Sequence, residues 1–263
     1  MHLAQAGEGR PIVMLHGWPQ HWYLWRRVIP LLAPHARVLC PDLRGFGWTD
    51  APGRGYDRET MAQDVLALLD ELALDRVDLV GHDWGGWIGF LLALRRPERI
   101  GRFVALSITP PWPSGDLRGL LEAWRIAYQI PLALPQVGRR MVEHSLARLV
   151  LRTASDAFSE GEIEAFTERL KGERARASEL LYRTFLLREA LPVFAGRYAG
   201  LPLEVPTLLL VGERDAVIPT RAVREQAARA DALELELVPE TGHFIVDEKP
   251  ELVADRTLAF FRP

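Results

Sequence analysis

At 263 residues, with 48% hydrophobic and 25% charged content, the chain has apolar material for one sizeable core and the composition of an ordinary globular protein. Its net charge of −3 gives no electrostatic footing for nucleic acid or an anionic membrane surface, and no apolar run approaches a membrane span. A single cysteine, Cys40, excludes an intrachain disulfide, and the opening MHLAQAGEGRP lacks the marks of a secretory signal, so a cytoplasmic protein is expected.

Short apolar runs alternate with helical stretches up to about residue 111. Ile12–His16 (IVMLH) stops at Gly17 and suits a buried parallel strand. Trp22–Leu32 has helical spacing, and Arg37–Cys40 (RVLC) reads as the next strand. Asp57–Leu72 carries Met61, Val65, Leu68, Leu69 and Leu72 on one face, a helical period. Val77–Val80 is a third strand, Gly85–Arg96 a helix stopped by Pro97, and Phe103–Ile108 a fourth strand. Such alternation predicts βαβ units and a mostly parallel sheet.

The pattern then breaks at the proline-rich TPPWPSGD, Thr109–Asp116. From Leu117 to about Tyr198 no strand is legible, only helices rich in Arg, Glu and Leu. Alternation resumes with strand Thr207–Val211, helix Arg221–Ala230, strand Leu233–Val238 and a last helix near Glu251–Phe261. The simplest architecture is an α/β core interrupted by a helical insertion.

Three features carry chemistry. GHDWGG, Gly81 to Gly86, lies between a strand and a helix and has the form of a sharp turn that exposes one nucleophile, here Asp83. A carboxylate can attack an electrophilic sp³ carbon and leave an ester. A plain helix cap is the competing role for Asp83, but the flanking glycines argue for the crowded turn. HGWP, His16 to Pro19, follows the first strand, where a backbone N–H can serve an oxyanion. Beyond the insertion, Asp215 follows one strand and His243 the next, giving the order nucleophile, acid, histidine. Singly these are a turn aspartate and a loop histidine; in this order they read as a triad, with His243 activating water and Asp215 fixing its tautomer.

The segments PIVMLHGWPQHWYLW, PDLRGFGWTDAP, LVGHDWGG, VGERDAVIP and TGHF resemble the epoxide hydrolases and their relatives the haloalkane dehalogenases, within the α/β-hydrolase superfamily. The resemblance covers about residues 8–111 and 200–263, and the insertion only loosely. It implies an α/β-hydrolase fold, a mostly parallel sheet with flanking helices and an inserted helical cap. The core's first part would be residues 1–111, the cap 112–198 and the core's second part 199–263. The family usually carries two further strands before the first one identified, of which the opening residues hold at most a remnant. An oxyanion hole from the backbone N–H groups of Trp18 and Trp84 is implied, and a substrate pocket including His16, Pro19 and Trp124. No metal or organic cofactor is implied. The expected partner is a small apolar substrate, with no nucleic acid or membrane; a homodimer is compatible with this reading.

Epoxide opening needs a proton source, which the family supplies with two cap tyrosines. Tyr182 in LLYRTF matches the second. At the first position this chain has Trp124, with Tyr128 one turn later, and an indole donates a hydrogen bond but is no practical acid. The resemblance therefore implies opening of an epoxide to a vicinal diol through an ester on Asp83, with Tyr182 and Tyr128 at the oxygen. The alternative is a haloalkane dehalogenase using the same ester chemistry, with Trp84 and Trp124 as halide donors. A non-catalytic binding protein on the same fold would have no reason to keep His243 with Asp83. A serine esterase is disfavoured because no serine lies at the turn.

Overall fold

In the computed structural model, which describes residues 1–112 and 127–262, seven strands form one sheet. In chain order they are β1 (Leu3–Ala6), β2 (Pro11–Leu15), β3 (Arg37–Pro41), β4 (Val77–His82), β5 (Ile100–Leu106), β6 (Thr207–Gly212) and β7 (Leu233–Val238). Their spatial order is β1-β3-β2-β4-β5-β6-β7. The last six run parallel, whereas β1 is antiparallel to β3 and pairs Leu3 with Pro41.

The apolar strand runs follow from burial of both faces. Val13, Leu15, Leu79, Ala105, Leu209 and Val211 belong to the core on one side, and their alternates Ile12, Met14, Val80, Val104, Leu208 and Leu210 to the core on the other. β1 is the strand that the sequence pattern leaves out. LAQA is short and of low strand propensity, and tertiary contacts hold it instead: the Asp42 N–H donates to the His2 carbonyl, and the His2 N–H to Thr49 Oγ1.

A helical stretch after β2 divides into a 3₁₀ segment, Trp22–Arg27, and one short turn, α1 (Ile29–Leu32). Helix α2 (Arg58–Glu71) starts where Asp57 caps it, its Oδ1 accepting from the Thr60 N–H at 2.8 Å. Helix α3 (Trp84–Arg95) is buried along nearly its whole length, so it reads as apolar all round rather than striped.

Between β5 and β6 the described residues hold helices and no strand. These are α4 (Gln129–Ala133), α5 (Val137–Glu143), α6 (Leu146–Ala154), α7 (Glu160–Thr167), α8 (Glu173–Thr184), a π-helical turn at Phe185–Glu189, and α9 (Ala190–Phe194). Polar contacts lock this insertion onto the sheet. Trp18 Nε1–H donates to Ser178 Oγ at 3.1 Å and His21 Nε2–H to the Ala165 carbonyl at 3.0 Å, while within the insertion Trp112 Nε1–H donates to the Tyr198 carbonyl at 3.1 Å. Arg26 also pairs with Glu162 across the seam. The chain ends through α10 (Thr220–Ala227), α11 (Ile245–Glu248) and α12 (Pro250–Phe261). Among the described residues no helix is long and apolar enough to cross a membrane.

Candidate active site

The turn between β4 and α3 gives Asp83 a left-handed backbone, φ 51° and ψ −123°. A non-glycine residue there stores strain of order 1–3 kcal/mol, held only if the surroundings over-determine it. They do. The Asp83 N–H donates to the Leu106 carbonyl at 3.1 Å, and the Asp83 carbonyl accepts from the Trp87 N–H at 3.0 Å. A Cβ on Gly85 would lie 2.3 Å from the Leu15 carbonyl oxygen, so only glycine lets the helix pass this close to β2. Asp83 occupies the position before the helix, yet its side chain makes no capping bond. The carboxylate points instead into a pocket above the sheet.

One carboxylate oxygen is fixed and the other is free to react. The Trp18 backbone N–H donates to Asp83 Oδ1 at 3.0 Å, and a Cβ on Gly17 would collide with that same oxygen at 2.2 Å. Oδ2 lies 3.6 Å from His243 Nε2. His243 Nδ1–H donates to Asp215 Oδ2 at 2.9 Å, while Asp215 Oδ1 accepts from the N–H groups of Val217 and Ile218 at 2.8 and 2.9 Å. Those contacts also set the ionisation states. Burial works against a charged Asp215, but the His243 charge, its hydrogen bond and the two amides hold the carboxyl below its ordinary value. Burial likewise opposes a charged His243, and the Asp215 charge, with Asp83 beyond it, outweighs that and raises the imidazole to about 10. His243 thus lies between Asp215 and Asp83, an arrangement that favours its protonated form.

Two lobes of space meet over Asp83. One is lined by Trp84, Trp87, Ile108, Phe185, Val193 and Phe194, and is almost wholly apolar. The other runs past Trp18, Tyr182, Val150, Arg214, His243 and Phe244. Asp83, Tyr128 and Val217 border both. Tyr182, from α8, is 1% exposed and packs edge-on against Trp18 and Trp84, with ring centroids at 5.5 and 5.9 Å. Tyr128 leaves 39% of its surface in solvent but brings its ring edge-on to that of Tyr182, with centroids at 6.1 Å. Burial and the Asp83 charge keep both phenols protonated: Tyr128 is pushed up to about 12 and Tyr182 well above its ordinary value.

The remaining expected site residues fall differently. His16 lies beneath the pocket, not in its wall. Both its ring nitrogens serve the backbone, Nδ1–H donating to the Gly17 carbonyl at 3.0 Å and Nε2 accepting from the Leu43 N–H at 2.9 Å. Burial keeps it neutral, its pKa lowered to about 4 against the raising pull of the Asp42 charge and the Gly17 bond. Pro19 follows a cis peptide and is buried in the turn that presents the Trp18 N–H, also outside the described pocket walls. Trp124 lies outside the described residues. No group of three or more His, Cys, Asp or Glu side chains suited to a metal occurs among the described residues.

Two features escaped sequence reasoning. His82, just before the nucleophile, donates Nε2–H to the His243 carbonyl at 2.9 Å and stays neutral, lowered to about 4 by burial and the His243 charge. Arg58 is fully buried against Trp84. A polar residue ending an otherwise apolar strand was the available signal for His82; for Arg58, at the start of an amphipathic helix, there was none.

Residues 10–250 match the model of the alpha/beta hydrolase fold family. The chain is 32% identical to a soluble epoxide hydrolase of Corynebacterium sp. (strain C12), over 100% of this chain and 94% of that one. It is 30% identical to epoxide hydrolase 3 of Xenopus tropicalis, over 96% of this chain and 72% of that one. Among solved structures, the ligand-free epoxide hydrolase CorEH superposes with a TM-score of 0.86 at 31% identity, covering 99% of this chain and 94% of its own.

Proposed function

The chain belongs to the α/β-hydrolase fold family, and from that premise we propose that it is an epoxide hydrolase, converting a small apolar epoxide to a vicinal diol through an ester on Asp83. What carries the reading is the division of labour at Asp83, with Oδ1 held by the Trp18 N–H and Oδ2 facing the pocket that Tyr128 and Tyr182 overhang.

Asp83 Oδ2 attacks an epoxide carbon, forming the C–O ester bond as the ring C–O bond breaks. The electron pair goes to the ring oxygen, which takes a proton from a tyrosine hydroxyl. A phenol that stays protonated at working pH is suited to that donation, and such general acid catalysis contributes about 10²–10⁴-fold. The ester consumes the Asp83 negative charge, one of the two that raise His243, so the imidazole gives up its proton more readily after alkylation than before. Neutral His243 Nε2 then takes a proton from water, and the hydroxide adds to Asp83 Cγ. Negative charge develops on Oδ1, the oxygen 3.0 Å from the Trp18 N–H, so the donor that orients the resting carboxylate also stabilises the tetrahedral intermediate. Collapse expels the diol alkoxide, which leaves with the His243 proton, and solvent restores the tyrosine. One water is consumed and no cofactor takes part.

Turnover of styrene oxide and 1-bromobutane, scored side by side for diol and bromide, tests the assignment. Diol without bromide is expected. Bromide without diol would transfer the protein to the haloalkane dehalogenases, and binding without either product would make it a receptor.

A further inference from the structure

Arg58 has no exposed surface, and its guanidinium lies 4.6 Å from the Trp84 ring centroid and 5.3 Å from that of Phe185. Its partner is Glu189, at the end of the π turn that links α8 to α9. Glu189 Oε1 accepts the Arg58 backbone N–H at 2.9 Å, one of the donors left open at the start of α2, and Oε2 accepts Nε–H at 2.8 Å and also Nη2–H. Nη1–H and Nη2–H reach the Leu181 carbonyl at 3.4 and 3.3 Å. One core side chain thus grips the insertion on both sides of the π turn and stacks on the residue after the nucleophile.

Leu181 precedes Tyr182, and the Trp84 ring packs edge-on against the Tyr182 ring with centroids at 5.9 Å. A π turn inserts one residue into a helix and re-aims the residues beyond it; here it brings Glu189, at its end, round to Arg58, while Phe185, at its start, packs on Trp84 with centroids at 5.1 Å. A buried ion pair is poor value as a source of stability, because desolvating two ions costs about what their attraction returns, and an apolar pair of similar volume often folds as well or better. What such a pair supplies is geometry, since the guanidinium fork fixes several acceptors at once. We propose that Arg58 and Glu189 are positioning residues that hold Tyr182 in register over Asp83, so that the alkylation half of the reaction depends on them and the hydrolysis half does not. The inference rests on the epoxide hydrolase reading. Hydrolysis is spared because its groups, Asp215, His243 and the Trp18 N–H, all stand on strand ends and loops of the core.

Removing one partner strands the other charge in the interior, so the decisive variant is the apolar pair R58M/E189L. Its thermal midpoint is expected to match or exceed that of the wild type. In single-turnover reactions with styrene oxide, followed by intact-protein mass, ester formation should slow by about tenfold or more, while decay of the preformed ester stays within about twofold. Glu189→Gln, which keeps an acceptor for the Arg58 N–H, should recover part of the alkylation rate. A folded double variant that alkylates at the wild-type rate, or that slows equally in both steps, overturns the proposal. Alkaline titration of tyrosine absorbance reads the same point without turnover: the double variant should gain one tyrosine ionising near the ordinary value, as Tyr182 loses its fixed burial. If the wild type opens no epoxide, the functional reading fails, and this titration alone decides whether Arg58 positions Tyr182; an unchanged titration then overturns the positioning role as well.

Discussion

The two walls of the pocket are built by different means. Below, Asp83, Asp215 and His243 each follow a parallel strand of one sheet, so backbone geometry fixes them: register, a left-handed turn, and amides that accept no substitute. Above, Tyr128, in the turn before α4, and Tyr182, in α8, belong to an insertion that reaches the core through side chains, among them Trp18 to Ser178 and Arg58 to Glu189. The lower wall is specified locally, the upper by packing at long range. On this assignment the walls also divide the chemistry, with ester hydrolysis held by the lower and the proton for ring opening by the upper.

Breaking the lower wall should have the largest effects. Asp83→Ala removes the atom that attacks and is expected to lower diol formation by roughly 10⁴-fold or more, measured as product against time. His243→Gln should be as damaging to turnover but not to alkylation, so intact-protein mass should reveal an adduct one substrate heavier, trapped on Asp83. A turned-over substrate that leaves no adduct on this variant would end the covalent mechanism. A Gly17→Ala change should approach these losses without touching a reacting group, because its Cβ would fall 2.2 Å from Asp83 Oδ1 and displace the carboxylate from the Trp18 N–H.

The same contrast explains what could be read from the sequence. Parallel strands buried on both faces write themselves as apolar runs, and a crowded turn needs glycines, so β2 to β7 and the Gly81–Gly86 turn were legible, along with the order of Asp83, Asp215 and His243. β1 was not, because four residues of LAQA become a strand only through pairing with β3. The pocket was legible only in part. His16 follows a strand and looks chemically able, but both ring nitrogens are spent on backbone groups that the sequence does not bring together. Arg58 and Glu189 lie 131 residues apart, and nothing local in either helix marks a pair.

In the upper wall, smaller losses are expected and they should be unequal. Tyr182→Phe deletes a hydroxyl on a ring buried against Trp18 and Trp84 and should slow epoxide alkylation by about 10²-fold, within the range of a lost general acid. Tyr128→Phe should cost less, about tenfold, because that residue is the more exposed of the two and Tyr182 remains to donate. Pre-steady-state ester formation separates the two. Equal losses would make the tyrosines a symmetric pair and erase the distinction between a locked and a loose donor.

The smallest effect expected is on stability, and its sign distinguishes the walls again. The fold raises His243 from 6.5 to about 10, so the folded chain binds this proton more tightly than the unfolded one does. That contribution is fully present below about pH 6.5 and is lost as pH rises through about 10. Asp215 works in the opposite sense: its carboxyl is held below 3.8, so its contribution is present above that pH and is lost in more acid solution. The thermal midpoint should therefore fall by a few degrees between neutral pH and pH 10. Asp83→Asn removes one of the two charges that raise His243, and the decline should become shallower and finish at lower pH while Asp215 still holds the imidazole. Tyr182→Phe should change that decline little until the pH approaches 10, where the unfolded phenol begins to ionise and the folded one does not. A decline that vanished with Tyr182→Phe and survived Asp83→Asn would mean that the upper wall, not the triad, sets the protonation of the site.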